Sequence, residues 1–393
     1  MKRLCLFLAL VVIAPLVARA QPWVVGQSYF SQNGYIEYRP GNLPIIISTP
    51  HGGSLTPASI PDRTCNNPTT VTDSWTTELG TQVDTSFLNR TGCRPHLIIC
   101  HLKRTKLDAN RNLAEGACGN VDAETAWKAF HNWIDTARKL VTQQFEKGFY
   151  VDLHAHGHAV QQMELGYLLT PGELRKTDAQ LSSGNYKDSS SIRKLASTNL
   201  TGLSFVQLLR GPRSFGTALA LRGYPSVPSQ LKPAPDTSES YFDGGYNTAY
   251  YTSYMGGTVD GVQIETNYTG VRDNATNRKK FADTLSVTLL AYLKEHYFGT
   301  TPSCNKPTGI GTETQPSLQI FPNPAIGGSI TVMLQSEQTA AVHWSVLAVD
   351  GRVARSGSAS GSLFSVSGLL PGVYLLRIDN VTLPSETQRF IVP

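Results

Sequence analysis

Apolar positions along this chain show two textures. Between about residues 40 and 298, short apolar runs alternate with longer stretches at helical spacing; beyond residue 318 only short alternating runs occur. In the first region LPIIIST (43–49), PHLIICH (95–101), FYVDL (149–153), ELGYLL (164–169) and DGVQIETN (260–267) predict strands. Leu79, Val83 and Phe87 recur at helical spacing in SWTTELGTQVDTSFLN, with Asp73 as its expected N-cap. Trp127, Phe130, Ile134, Ala137, Val141 and Phe145 mark an amphipathic helix over 123–148, and another is expected over 277–297. A β-rich lead-in covers 22–39, and a Pro-, Gly- and Tyr-rich loop covers 224–257. Alternating strands and helices predict an α/β fold with a mixed, mostly parallel sheet and flanking helices.

The texture changes after a Thr-, Pro-, Gly- and Ser-rich linker at 300–317. From 318 to 393, short runs such as SITVML, AVHWSVLAVD and GVYLLRI, with turns at Asp350–Gly351 and Pro371–Gly372, predict a small all-β sandwich. Its one histidine, His343, reads as structural. At the other end, Lys2 and Arg3 precede an apolar run that closes on Ala18-Arg19-Ala20, the pattern of a secretory signal peptide. The expected organisation is a signal peptide at 1–20, a catalytic domain at 21–299, a linker at 300–317 and a β-sandwich at 318–393. No other stretch is apolar enough to span a bilayer.

Charge and cysteine content narrow the class. Charged residues make up 16% of the chain, and the net charge of +5 includes no long basic run, which gives nucleic-acid binding little support. Export leaves Cys65, Cys93, Cys100, Cys118 and Cys304, an odd number. Four of them are close in sequence, and the pairing expected is Cys65–Cys93 with Cys100–Cys118, formed in an oxidising compartment.

The candidate chemistry gathers at predicted strand ends. FYVDLHAHGH carries His154, His156 and His158, with Asp152 placed to orient an imidazole. PHGG ends the first strand at His51, and Glu265 ends the last. Two histidines and a carboxylate with a position left open form a ligand set for one catalytic zinc ion. The candidates are His51, His154 with His156, and Asp73, with Glu78 as the alternative to Asp73; either acid also reads as a plain helix residue. Glu265 is the expected general base, or else a surface carboxylate. Arg104, Asn110 and Arg111 cluster in LKRTKLDANR. Arginine suits a bidentate carboxylate or a developing oxyanion, although a structural network with Asp108 is the plainer reading. Arg210, Arg213, Tyr246 and Arg272 are further candidates.

As an ordered set, PHGG (50–53), LDANR (107–111), DLHAHGH (152–158), ELGYLL (164–169), GGYN (244–247) and QIETN (263–267) resemble the N-formylglutamate amidohydrolase family. They also echo the zinc carboxypeptidases, whose phosphorylase/hydrolase-like fold the resemblance implies over about residues 40–298. It further implies His51 and His154 as zinc ligands, Glu265 as general base, Asn110 and Arg111 as the pair holding a substrate carboxylate, and Arg104 as the oxyanion cation. Arg210 and Tyr246 would add substrate contacts. The carboxypeptidase pattern places a glutamate three residues after the first histidine, where this chain has Ser54; the amidohydrolase pattern points to Asp73 instead. FPNPA (321–325), LLPGVYLLR (369–377) and RFIV (389–392) resemble the C-terminal sorting domain of the type IX secretion system. That implies export to the medium or cell surface and contact with the secretion machinery.

The function these readings support is a secreted, zinc-dependent hydrolase of an amide bond in an N-acyl amino acid, a peptide or the cell wall. A non-catalytic carbohydrate- or peptide-binding module on the same fold is the alternative. A serine esterase is disfavoured, because the chain lacks a G-x-S-x-G elbow.

Overall fold

The runs Ile45–Ile47 and Ile98–Ile99 make central strands, and burial on both sides explains why these runs show no polar alternation. The computed structural model describes residues 23–304, 318–334, 342–348, 352–360, 363–379 and 386–393. The expected signal peptide, most of the linker and the Asp350–Gly351 turn fall outside these residues. The chain divides into two units, Met1–Lys306 and Pro307–Pro393.

The first unit holds β1 (Tyr29–Phe30), β2 (Ile36–Arg39), β3 (Ile45–Thr49), β4 (His96–Cys100), β5 (Gly148–Ala155), β6 (Met163–Gly166), β7 (Ser226–Val227) and β8 (Val259–Thr266). They form one eight-stranded sheet in the order β1-β2-β4-β3-β5-β8-β6-β7. Its centre, β4-β3-β5-β8, is parallel, while β1, β2 and β6 introduce antiparallel pairs. This is the mixed α/β sheet expected.

The helices are α1 (Thr76–Thr91), α2 (Leu113–Ala117), α3 (Val121–Phe145), α4 (Pro171–Leu174), α5 (Asp178–Ser183), α6 (Arg193–Thr198), α7 (Phe205–Arg210), α8 (Phe215–Ala220), α9 (Tyr246–Tyr251) and α10 (Ala275–Leu293). On one face of the sheet Ile45, Ile47, Val151, Leu153, Val262 and Ile264 pack against Leu79, Val83 and Phe87 of α1 and Leu285 and Leu289 of α10. On the other, Ile46, Ile98 and Tyr150 pack against Phe130, Ile134 and Val141 of α3. Toward the carboxyl ends of β3, β5 and β8 this second face turns polar. Ser48 is in register with Asp152, Asp152 with Gln263, and His154 with Glu265. Ligand sites of open α/β sheets lie at such carboxyl ends.

Two details differ from the sequence reading. Asp73 does not cap α1: the helix starts at Thr76, after Trp75 in a left-handed conformation (φ 70°), and the Asp73 backbone carbonyl accepts the Thr76 amide. The disulfides are Cys65–Cys118 and Cys93–Cys304, leaving Cys100 buried as a free thiol. The pairing expected from nearness in sequence fails because Cys100 lies inside β4, facing the core, while Cys93 follows the end of α1 and meets the chain beyond α10.

The second unit is all-β, as expected. One sheet has the order β13-β10-β9 and the other β12-β11-β14-β15, where β9 is Leu318–Ile326, β10 Ser329–Leu334, β11 Val342–Ala348, β12 Val353–Ala359, β13 Leu363–Val366, β14 Gly372–Asp379 and β15 Glu386–Val392. Val332, Val346, Leu376 and Phe390 share its core, and His343 faces solvent. Among the described residues no helix is long and apolar enough to cross a membrane.

Candidate active site

His51 is the second residue beyond β3 and is buried. Two glycines follow it where no side chain fits. A Cβ on Gly52 would stand 2.6 Å from the Thr77 amide nitrogen, and one on Gly53 would stand 2.3 Å from the carbonyl carbon of His101. The chain leaving β3 therefore runs against the start of α1. That approach brings Asp73 to His51, and the Asp73 amide donates to the His51 carbonyl at 3.1 Å.

Each histidine has one ring nitrogen fixed by a buried carboxylate. His51 Nε2 lies 2.7 Å from Asp108 Oδ1, and His154 Nε2 lies 2.8 Å from Asp152 Oδ2. Both Nδ1 atoms are left to converge on Asp73 Oδ2, at 3.5 Å from His51 and 3.2 Å from His154. His51 Nδ1 is buried without a hydrogen-bond partner among the described residues. Ligand atoms held about 2.0–2.1 Å from a tetrahedral zinc stand roughly 3.3 Å apart. The donor types, the spacing and the orphaned nitrogen thus all fit a zinc ion, with the Nε2 atoms held from behind as ligating histidines usually are.

Three buried carboxylates, Asp73, Asp108 and Asp152, surround the two imidazoles and favour a cation among them. Burial works against the charges of Asp73 and Asp108, but their histidines, together with Arg104 and Arg63 at Asp108, hold both carboxyls well below the ordinary range. Burial also disfavours the His154 imidazolium, and Asp152 and Asp73 outweigh it, raising its proton affinity well above normal. Glu265, unlike Asp73 and Asp108, moves upward. Burial pushes its pKa up, with His154 opposing and the negative charges of Asp73 and Glu164 adding to the rise. Its Oε1 accepts from Gln263 at 2.8 Å, and its buried Oε2 has no partner among the described residues.

The remaining candidates separate into two groups. Arg104 sits beside the cluster, its Nε on Asp108 Oδ2 at 3.0 Å and its Nη1 3.7 Å from Asp73 Oδ1. Asn110 is buried, with Nδ2 3.4 Å from His154 Nε2 and Oδ1 accepting the Asn247 amide at 2.8 Å. Arg111 lines a polar cavity of about 200 Å³ together with Arg63, Asn66, Asn67, Asp108 and Glu115. Tyr246 lies between Gly245 and Asn247, the two residues against Asn110, and its ring is 6.3 Å from Trp127. Arg272 reaches the carbonyls of Thr266, Ser74 and His156, tying together the ends of β8 and β5 and the segment after Asp73.

Outside the cluster, Arg210 is occupied by Asp178 and the carbonyls of Leu174 and Lys176, so its guanidinium serves the packing of α7 against α4 and α5. Arg213 pairs with Glu295. Glu78 is exposed in the first turn of α1 and outside the cluster, which leaves Asp73 as its carboxylate. His156 also turns away, because β5 ends at Ala155 and the chain no longer alternates.

Sequence reasoning missed Asp108 as the partner of His51, as well as Arg63 and Asn247. The only signal was the density of polar residues in LDANR and GGYN; the contacts join residues 57 and 137 positions apart.

Residues 319–393 match the family described as the secretion system C-terminal sorting domain. That match places the protein among those secreted or displayed at the cell surface by the type IX system. Among solved structures, the crystal structure of N-formylglutamate amidohydrolase from Ralstonia eutropha JMP134 is 14% identical, with a TM-score of 0.39 over 64% of this chain and 94% of that one. PorZ, a surface component of the Porphyromonas gingivalis type IX system, is 19% identical over 22% of this chain and 13% of its own, with a TM-score of 0.17. Lactobacillus rhamnosus beta-glucuronidase is 19% identical over 20% and 16%, with a TM-score of 0.14. These likenesses are too distant to speak for activity. No curated protein matches the chain.

Proposed function

We propose that the first unit is an exported, metal-dependent hydrolase of a C–N amide bond, acting on an N-acyl amino acid, a peptide or a cell-wall amide. The observation that carries this reading is the convergence of His51 Nδ1, Asp73 Oδ2 and His154 Nδ1 beside the free Oε2 of Glu265. A zinc ion on those three atoms would supply Lewis acidity toward a carbonyl and acidify a water molecule. Asp108 and Asp152 fix the tautomers that aim both Nδ1 lone pairs at the site. Glu265 takes the proton of the attacking water at Oε2 and returns it to the departing nitrogen. Arg104 Nη2, which makes no bond among the described residues, is the donor for the developing oxyanion. Arg111 and Asn110, at the polar cavity and against His154, hold the substrate carboxylate.

The test pairs metal content with turnover. The purified chain should bind zinc and hold one ion fewer on His154→Ala, and a screen of N-acyl amino acids, peptides and muropeptides should find an activity that Glu265→Gln removes. A chain that takes up no zinc when it is offered sinks the reading and favours a binding module.

A further inference from the structure

A second group of metal-ligating side chains lies beside the first. His156 Nε2 is 2.8 Å from the Gln162 carbonyl, so that nitrogen carries the hydrogen and Nδ1 keeps its lone pair. His156 Nδ1 faces Glu164 Oε1 at 3.7 Å, and His158 Nδ1 meets the same oxygen at 2.7 Å. All three donor atoms lie within 4.8 Å of one another. The two distances bracket the roughly 3.3 Å expected between ligands of a tetrahedral zinc. Glu164 is held from behind, its Oε2 accepting the Phe242 amide at 2.8 Å. Two of the three ligands therefore have the supporting bonds that orient metal ligands.

Charge supplies an independent reason. Glu164 is 1% exposed, and among the described residues no lysine or arginine pairs with it. A buried carboxylate needs a cation close by. The His158 side chain keeps 22% of its surface exposed and gives an ion a way in from solvent. The His158 amide now donates to His156 Nδ1 at 3.1 Å; it sits on a partly exposed turn, where water replaces that bond once an ion takes the lone pair.

We propose that His156, His158 and Glu164 form a second divalent-metal site of the zinc class, separate from His51, Asp73 and His154. Two imidazoles and one carboxylate suit zinc better than calcium or magnesium, which prefer oxygen ligands. The ion ties the turn after β5 and the segment at Phe242 to β6. Because Glu164 is the register partner of Glu265, the ion also steadies the strand next to the base.

The experiment counts ions. The full chain is equilibrated with excess zinc, freed of unbound ion by gel filtration and measured by elemental mass spectrometry. Two zinc ions per chain are expected in the wild type, one in His158→Ala and one in His154→Ala. Should His158→Ala bear on folding, Glu164→Gln reports on the same site, and a cobalt(II) titration followed by visible absorption should lose one of two steps in either variant. An unchanged ion count in both His158→Ala and Glu164→Gln overturns the second site, leaving a His158–Glu164 ion pair in its place. A count lowered by those variants but untouched by His154→Ala upholds the second site and instead counts against the first.

Discussion

His154 and Glu265 are register partners on the adjacent parallel strands β5 and β8, so both side chains leave the same face of the sheet. The proposed ligand and the proposed base are therefore set by backbone pairing and not by a loop. A base fixed this way is separable from metal binding. Glu265→Gln keeps the shape and the bond from Gln263 while removing the proton acceptor. Turnover should fall by about 10²- to 10⁴-fold, with zinc content unchanged. A variant of undiminished turnover would remove Glu265 from the chemistry.

Behind the proposed ligands, Asp108 and Asp152 each hold one ring nitrogen, of His51 and His154 respectively. Replacing either by Asn leaves an amide whose NH₂ group competes for the ring nitrogen. Zinc affinity should weaken roughly 10- to 100-fold in each variant, as read by competition with a chromophoric chelator. Equal affinities in Asp108→Asn and the wild type would show that His51 is oriented by other contacts.

The sheet and the convergence of the two histidines were legible in the sequence for a shared reason. Apolar runs fix where strands end, and His51 and His154 sit at such ends, as does Glu265. Asp73 was harder, because a carboxylate before a helix reads equally as a cap; its place beside His51 is set by the folded chain. Arg210 was misleading, since a buried arginine holding helix carbonyls has the same sequence signature as one that binds a substrate. The cysteines show the limit most clearly. Their spacing favours local pairs, while the actual partners are set by tertiary folding across 53 and 211 residues.

Those two bridges should act differently. Cys65–Cys118 ties the segment between His51 and Asp73 to α2, close to Arg63, whose guanidinium holds the carbonyls of Thr69, Arg104 and Glu115. Cys93–Cys304 joins the chain after α1 to the chain beyond α10, at the end of α1 opposite to Asp73. Each double Cys→Ser variant should lose roughly 2–4 kcal/mol of stability, visible as a lower melting temperature. Only Cys65→Ser/Cys118→Ser should also weaken zinc binding. Equal zinc affinity in the two variants would show that the segment keeps its place without the bridge.

Asp260 supplies a pH dependence that is independent of the metal site. It is buried on β8, on the face opposite Glu265, and its oxygens accept from Ser253 Oγ at 2.6 Å, the Leu195 amide at 3.0 Å and Tyr297 Oη at 3.1 Å. Burial pushes its pKa from 3.8 up to about 6, against the hydrogen bonds from Ser253, Leu195 and Tyr297. Between these values the folded chain binds more protons than the unfolded one, so this group's contribution is fully present below about pH 4 and is lost as pH rises through about 6. A displacement of that size corresponds to about 3 kcal/mol. Asp260→Asn keeps the acceptor for Ser253 and Leu195, and its amide can donate to the Tyr297 hydroxyl. The variant should match the wild type in urea unfolding near pH 4 and exceed its stability by about 1–3 kcal/mol at pH 7. A constant difference between the two proteins across that range would mean that Asp260 does not titrate there, and that the hydrogen bonds outweigh its burial.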